Sequence, residues 1–503
     1  MTVVPALRIA ADDDVAVLTS AIAPGEAVLG VTVLHPVPAG HKLALRDLAA
    51  GEPVRKYGQV IGQASQFIPA GAHVHAHNLT VGDRPPTPSS SLAATIAAPV
   101  ARPSPDKTAF EGYRRADGQV GTRNVIGIIA SVNCAATAVR RIARRFEQDL
   151  PGSIDGVAPF THSSGCGMAN SGDGFAVLER TLAGYARHPN FGGVLMLGLG
   201  CEVAQIDALL DRHGLNIGPR LRTLTIQDAG GTAAAINQGT TIVQELIEEA
   251  AADHRQTCPV SDLVLGLQCG GSDGWSGVTA NPALGVATDL LIAAGGSAYL
   301  SETPEIYGAE HLLMARAADP TIIRALQDRI AWWESYAARN GASLDNNPSP
   351  GNKAGGLTTI FEKSLGAIAK AGSSPLVDIL LYGEPRRTHG LSFMDSPGYD
   401  PCSATGQIAS GANVLAFTTG RGSVFGSQPA PCLKLASNAA LAKKMADDID
   451  MDCSPILDGM SLEDAGALIY DRILSTASGA PTRSEIIGVG DFEFVPWQLG
   501  AWM

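Results

Sequence analysis

The sequence predicts an α/β protein in two parts: a small β-rich N-terminal module and a larger, multi-layer α/β body on a parallel or mixed sheet. Three observations carry this reading. Short apolar runs recur along the body, each followed by a glycine turn and then by helical periodicity, the rhythm of strand, turn and helix. Glycine accounts for 57 of 503 residues while aromatics are only 5%, as in chains with many close turns between short elements. A proline-rich stretch with Pro85, Pro86, Pro88, Pro99, Pro103 and Pro105 separates the two textures.

Taken in order, residues 1–84 form the module. The apolar run 28–33 stops at Pro36, Pro38 and Gly40, 43–45 follows, and turns at 58–62 and 69–71 break it into short strands. Residues 85–109 read as a linker. In the body, 125–130 predicts a strand and 134–146 a helix, with Ala135, Ala138, Val139 and Ile142 on one face. The pair repeats as 193–199 with 203–210, and as 263–267 with 283–293. Residues 319–339 predict an amphipathic surface helix. From Gly390 a third region reads as strand 413–418 and helix 433–449, so the expected units are 1–84, 110–389 and 390–503. Ligands of open α/β sheets collect at the carboxyl ends of strands, where the polar, glycine-rich stretches 163–167, 198–202, 266–277 and 418–426 fall.

Formal net charge is −13, and no long basic stripe is present, which argues against a nucleic-acid partner. A small anionic substrate needs only a few local cations and stays compatible with that charge. The longer apolar stretches are interrupted by Asp289 and glycines, so no membrane span is expected. Asp12, Asp13 and Asp14 stand where a leader would need apolar residues, and the expected location is cytoplasmic. The eight cysteines are widely spaced without a CxxC pair, which suggests neither a disulfide scaffold nor a zinc ribbon. A homo-oligomer is compatible with all of this.

Several constellations are candidates for chemistry. His73, His75 and His77 alternate, which in an extended segment places them on one face beside Asn78, a metal site or an acid/base cluster. A surface histidine cluster is the bland alternative. Cys166, Cys201 and Cys269 each follow an apolar run and sit among glycines; three thiolates suit an iron–sulfur cluster, while small hydrophobes at tight packing points are the commoner fate of lone cysteines. Glu302, Glu305, Glu310 and His311 follow another run, and of these Glu302 and Glu310 are the favoured acid/base or metal carboxylates. A helix start with acidic residues explains the same pattern. Lys353 and Thr358, in a polar Gly/Pro-rich loop, and Arg421, between glycines, suit a carboxylate and sugar hydroxyls; Ser272 and Asp273 lie in the Cys269 loop.

These stretches resemble the altronate dehydratase family, which includes galactarate dehydratase and a sulfolactate-cleaving lyase, with the overall look nearest altronate dehydratase. The resemblance runs almost the full length. It covers the His-rich end of the module, 110–124, 302–311, 346–359, 395–406, 418–426 and 493–500. It implies a SAF-type module and a hydro-lyase that converts a hexonate or hexarate to a 2-keto-3-deoxy acid with a divalent metal. Fe²⁺ is the implied ion, Mn²⁺ the alternative, and an iron–sulfur cluster is disfavoured. The resemblance supports His73, His75 and the polar loops as one site. The expected metal set is His73, His75, Asp273 and Glu302; the expected catalytic set is His75, His73, Glu302 and Glu310. Asn78, Lys353, Thr358, Arg421 and Ser272 are expected to bind substrate. A sugar-acid binding protein without turnover is the competing class.

Overall fold

The computed structural model describes residues 5–82 and 104–500; most of the expected linker, 85–103, lies outside the described residues. The N-terminal module is built from short antiparallel strands. One sheet runs Ala6–Leu7, Val15–Leu18, Lys42–Ala44, His73–Val74, and another runs Pro53–Lys56, Gln59–Ala64, Leu79–Thr80. So little chain cannot enclose much core by itself. Val15, Val54, Ile61 and Val74 accordingly join one apolar cluster with Leu284, Leu326 and Phe393 of the body.

The body contains two parallel sheets. The first is four-stranded, in the order Gly156–Phe160, Val125–Ala130, Phe191–Gly198, Leu221–Thr225. The second is seven-stranded: Leu376–Leu380, Leu391–Met394, Ser297–Ser301, Val264–Cys269, Val414–Thr419, Cys432–Ala436, Met451–Asp452. Strands Val125–Ala130, Phe191–Gly198 and Val264–Cys269 are buried at every position, as parallel strands covered on both faces require. The two sheets share a core that includes Phe160, Tyr185, Tyr299 and Phe417. The second sheet takes strands from both sides of position 390, since Leu376–Leu380 pairs with Leu391–Met394.

Local sequence explains the covering helices. Pro320–Arg339 begins with Asp319 accepting from the Thr321 amide and Pro320 in its first turn, and it buries Ile322, Leu326, Ile330 and Trp333 as one stripe. Two expectations change. The segment expected as one helix over 433–449 opens with the strand Cys432–Ala436, and only Ala439–Lys444 is helical, capped by Asn438. A five-residue stretch suits either state, and pairing beside Val414–Thr419 decides it, with Lys434 buried in the strand. The histidine strand is only His73–Val74, and the chain then turns. No helix among the described residues is long and apolar enough to cross a membrane.

Candidate active site

A buried charged group forms where the seven-stranded sheet ends. Strand Val264–Cys269 delivers Cys269, and its neighbour Ser297–Ser301 runs directly into Glu302. Glu302 holds φ 73°, the left-handed region that a side-chain-bearing residue adopts only when its surroundings impose it. Those surroundings are visible: its amide donates to Ser396 Oγ at 3.0 Å and its carbonyl accepts from the Glu305 amide at 2.7 Å. The turn brings Glu305 back toward Cys269, with Sγ 3.8 Å from Oε2. One ligand atom from each of Cys269, Glu302 and Glu305 lies within 4.8 Å of the others, so the three can hold a metal ion.

Cations enter from the helix Ile360–Ile368, which Thr359 caps. Lys363 donates to Glu305 at 2.7 Å, and Lys370, just past the helix, lies 3.9 Å from Glu302. Asn347 donates to Glu305 and accepts from Lys363, each at 2.8 Å. Asp400, first residue of the helix Asp400–Ala409, closes the group against Gly270; a Cβ there would stand 2.1 Å from its Oδ2.

Burial and charge split the carboxyl groups. Burial pushes Glu302 well above the ordinary carboxylate range, and the like charge of Glu305 adds to it. Burial also acts to raise Glu305, but Lys363, with help from Lys370 and Asn347, carries it below its ordinary value. Asp400 is pushed up to about 7, by burial first and then by Glu305. Burial takes the Cys269 thiol up to about 11. The group therefore sets its carboxyl groups apart, with Glu305 held low, Asp400 near neutrality and Glu302 held high. That division is how a single site supplies both an acid and a base. Neither Glu302 oxygen has a hydrogen-bond partner among the described residues. A buried carboxyl left in that state departs from the usual satisfaction of polar groups and fits a cation.

The module meets the same helix from another side. Lys42 and Lys56 each reach Glu362 at 2.9 Å, with all three side chains buried. Lys42 also donates to the Gly356 carbonyl, while Thr358 donates to Glu362 through its amide and hydroxyl. Beside them His41, His73 and His75 cluster with ring centroids 5.1, 5.1 and 5.3 Å apart, His75 stacking on the other two rings, which are tilted to each other. His41 Nδ1 is 3.0 Å from His73 Nε2, and His75 Nε2 pairs with the Lys353 carbonyl at 2.8 Å. Burial, then His75, lowers His41 to about 4, and burial, then His41, lowers His73 to about 3. The rings are neutral at neutral pH. Gly356, at φ 102°, allows this approach of the two loops, because a Cβ there would meet the Gly40 carbonyl at 2.4 Å.

Three families match in succession along the chain. Residues 4–82 match the altronate/galactarate dehydratase SAF domain, 112–251 the second domain of D-galactarate dehydratase/altronate hydrolase, and 260–502 the D-galactarate/altronate dehydratase C-terminal domain. An altronate dehydratase of Escherichia coli (strain K12) is 38% identical over 95% of this chain and 96% of its own. The chain belongs to the altronate/galactarate dehydratase family. The galactarate dehydratase (L-threo-forming) of Escherichia coli (strain K12) is 37% identical, over 90% of this chain and 88% of its own. An altronate dehydratase of Bacillus subtilis (strain 168) is also 37% identical, over 84% of each.

Within this member of the altronate/galactarate dehydratase family, the expected site residues fall in three places. Glu302 lies in the buried charged group. His73 and His75 lie at the module's face with Asn78, which accepts from the His75 amide and donates to the His73 carbonyl. Lys353 and Thr358 belong to the loop between these places. Asp273 is taken up by Trp275, Ser276, Ser437 and Asn438 and shapes its own loop. Ser272 is buried next to it with its carbonyl accepting from Asn352, and Arg421 is exposed with its amide on Gly271. Glu310 is buried at the start of the helix Glu310–Met314 and is not among the three gathered ligands. Cys166 and Cys201 are exposed on the four-stranded sheet, away from Cys269. Sequence reasoning overlooked His41, Lys42, Lys56 and Lys370, and it took in Asp400 only as part of the stretch 395–406, without a role of its own.

Proposed function

We propose that this chain dehydrates a sugar acid, D-altronate to 2-keto-3-deoxy-D-gluconate, with galactarate as the alternative substrate. Support comes from one observation above others: Glu302, buried and without a hydrogen-bond partner, beside Glu305, Cys269, Asp400 and two lysines at a strand end. Glu302, Glu305 and Cys269 would hold a divalent ion, Fe²⁺ or Mn²⁺. Such an ion, when bound, polarises the substrate carboxylate and makes the C2 proton acidic.

The chain's own residues do the rest. Lys363 and Lys370 offset the negative charge that develops on the substrate carboxylate as the C2 proton leaves. Asp400, with a value near neutrality, takes that proton at its carboxylate oxygen and passes it to the C3 hydroxyl as that group departs as water. The enol that remains tautomerises to the 2-keto acid. His73, His75 and Asn78 position the loop carrying Lys353 and Thr358, which orients substrate hydroxyls. This loop moves to admit substrate to a group that is otherwise closed.

The test incubates Fe²⁺-loaded protein, kept anaerobic, with D-altronate, galactarate and related acids, and detects 2-keto-3-deoxy product. Product from altronate in preference to galactarate is expected. Tight binding of a sugar acid with no product from any of the panel would favour the non-catalytic binder.

A further inference from the structure

Of the three gathered ligands, Glu302 is the one whose carboxyl end nothing grips. Glu305 is held by Lys363 and Asn347, and Cys269 ends a fully buried strand. Neither Glu302 oxygen makes a hydrogen bond among the described residues, and Lys370 stands 3.9 Å away. The direction of this side chain is therefore set where its backbone turns, at φ 73°. A residue bearing a Cβ stays in that region only while its neighbours outweigh the steric cost.

Two consecutive residues supply the restraint. Asp395 and Ser396 follow strand Leu391–Met394, whose last pair with Ser297–Ser301 joins Met394 to Ser301, so the two chains leave the sheet side by side. Ser396 Oγ accepts from the Glu302 amide at 3.0 Å, and the Ser396 carbonyl accepts from the Thr303 amide at 3.0 Å. Asp395 Oδ1 accepts from the Thr303 hydroxyl at 2.6 Å. The turn fastened in this way also returns Glu305, whose amide donates to the Glu302 carbonyl at 2.7 Å.

Each half of this clamp is braced from behind. Trp333 Nε1, from the helix Pro320–Arg339, donates to the same Asp395 oxygen at 2.8 Å, and Arg329 of that helix lies 3.8 Å from Oδ2. The Ser396 hydroxyl donates to Ser403 Oγ at 3.0 Å, the nearer of its two acceptors, the other being the Pro397 carbonyl at 3.2 Å. Its oxygen is thereby left to accept from the Glu302 amide. Gln268 Nε2 donates to Ser403 Oγ at 2.9 Å and fixes that hydroxyl in turn. Asp395, Ser396, Thr303 and Ser403 are all buried, so water does not compete for these bonds.

We propose that Asp395, Ser396 and Thr303 are positioning residues that hold the Glu302 turn, so that its carboxyl group meets the divalent ion beside Cys269 and Glu305. This rests on the reading of Glu302 as a ligand to that ion. None of the three is among the gathered ligands, and each acts through Glu302.

The test is Mn²⁺ binding to the full-length protein, read by electron paramagnetic resonance, together with kcat and KM on the sugar acid panel. Thr303→Val keeps the side-chain shape and removes the hydroxyl that Asp395 accepts from, whereas Thr303→Ser keeps the hydroxyl. Thr303→Val is expected to weaken Mn²⁺ binding and kcat by roughly 10–100-fold, the usual cost of losing a residue that orients a metal ligand. Its KM should stay within about twofold of wild type, and Thr303→Ser should bind Mn²⁺ and turn over within about threefold of wild type. Ser396→Ala, which unpins the Glu302 amide, replaces Thr303→Val if circular dichroism shows that variant unfolded. Wild-type Mn²⁺ binding in folded Thr303→Val and Ser396→Ala would overturn the proposal, as would equal losses in Thr303→Val and Thr303→Ser. Glu302→Gln, measured alongside, separates the two readings. A loss there without a loss in the clamp variants overturns the clamp and keeps the ligand, while unchanged Mn²⁺ binding in Glu302→Gln overturns both. Should wild type turn over no sugar acid, the dehydration fails and the Mn²⁺ comparison alone decides the clamp.

Discussion

Glu362 and Lys363 are consecutive residues of one helix and serve different parts of the molecule. Glu362 accepts from Lys42 and Lys56 of the N-terminal module, while Lys363 donates to Glu305 of the buried charged group. Successive helical positions lie about 100° apart, so one short helix addresses two faces. The helix thereby couples the seating of the module to the position of a charge beside Glu302. The short helix Pro350–Ala354 and the turn after it reinforce the link, since their carbonyls meet His75 through Lys353 and Lys42 through Gly356.

Removing the charge of Glu362 should therefore do more than weaken one contact. Glu362→Gln leaves two buried ammonium groups facing a neutral amide, the situation that costs roughly 3–5 kcal/mol when one member of a buried pair is removed. Chemical denaturation of the variant should show that loss. Conversion of Thr358 to Val, which removes one hydroxyl donor to Glu362, should cost roughly 1 kcal/mol. Equal, small effects of both substitutions would show that Glu362 does not secure the module.

Acid should loosen the same interface in two stages. His41 and His73 have folded values lowered to about 4 and about 3 from an ordinary 6.5. Between those values the unfolded chain binds protons that the folded chain does not, so stability is fully present above pH 6.5 and falls as pH drops toward 4. Glu362, held below its ordinary 4.5, adds a further loss below that pH. Thermal unfolding of wild type should therefore shift down between pH 7 and pH 4.5. In the double variant His41→Gln, His73→Gln the shift over that window should be smaller. An equal shift in both proteins would place the sensitivity elsewhere.

Much of this was readable from the sequence, and the remainder has physical reasons. The apolar runs at 125–130 and 263–267 announced their strands because parallel strands buried on both faces need unbroken hydrophobic sequence. Glu302 stood out because it ends such a run. Its partners did not, since Lys363 and Lys370 come from a helix some sixty residues away and nothing local marks a buried lysine. The histidines converge through His41, which stands just before Lys42–Ala44, the strand paired with His73–Val74, and strand alternation has little part in it because the extended segment is only His73–Val74.

His75 tests whether the module face positions a loop or holds an ion. Its ring meets the Lys353 carbonyl, so His75→Ala should free the segment 350–356 and raise KM about tenfold, with a smaller fall in kcat. Elemental analysis should find metal content close to wild type. A parallel loss of metal and of kcat would make His75 a ligand and move the ion toward the histidines.

The decisive substitutions are at the strand end. Glu302→Gln keeps the shape of the side chain and removes its ability to exchange a proton or to ligate a cation as a carboxylate. It should reduce kcat by roughly 10²–10⁴, the range for a lost acid/base or metal-supporting carboxyl, and should lower metal content as well. Asp400→Asn separates the two roles. Asp400 is not among the three gathered ligands, so metal content should hold while activity falls by a similar factor. Its value near 7 also sets a pH limb: with Asp400 required ionised, wild-type kcat should decline as pH falls through about 7. Residual activity in Asp400→Asn should lack that limb. A wild-type profile flat across pH 6 to 8, or an unchanged limb in Asp400→Asn, would remove Asp400 as the base. The proton would then have to leave through another group, with Glu305 next in line because Lys363 keeps it ionised.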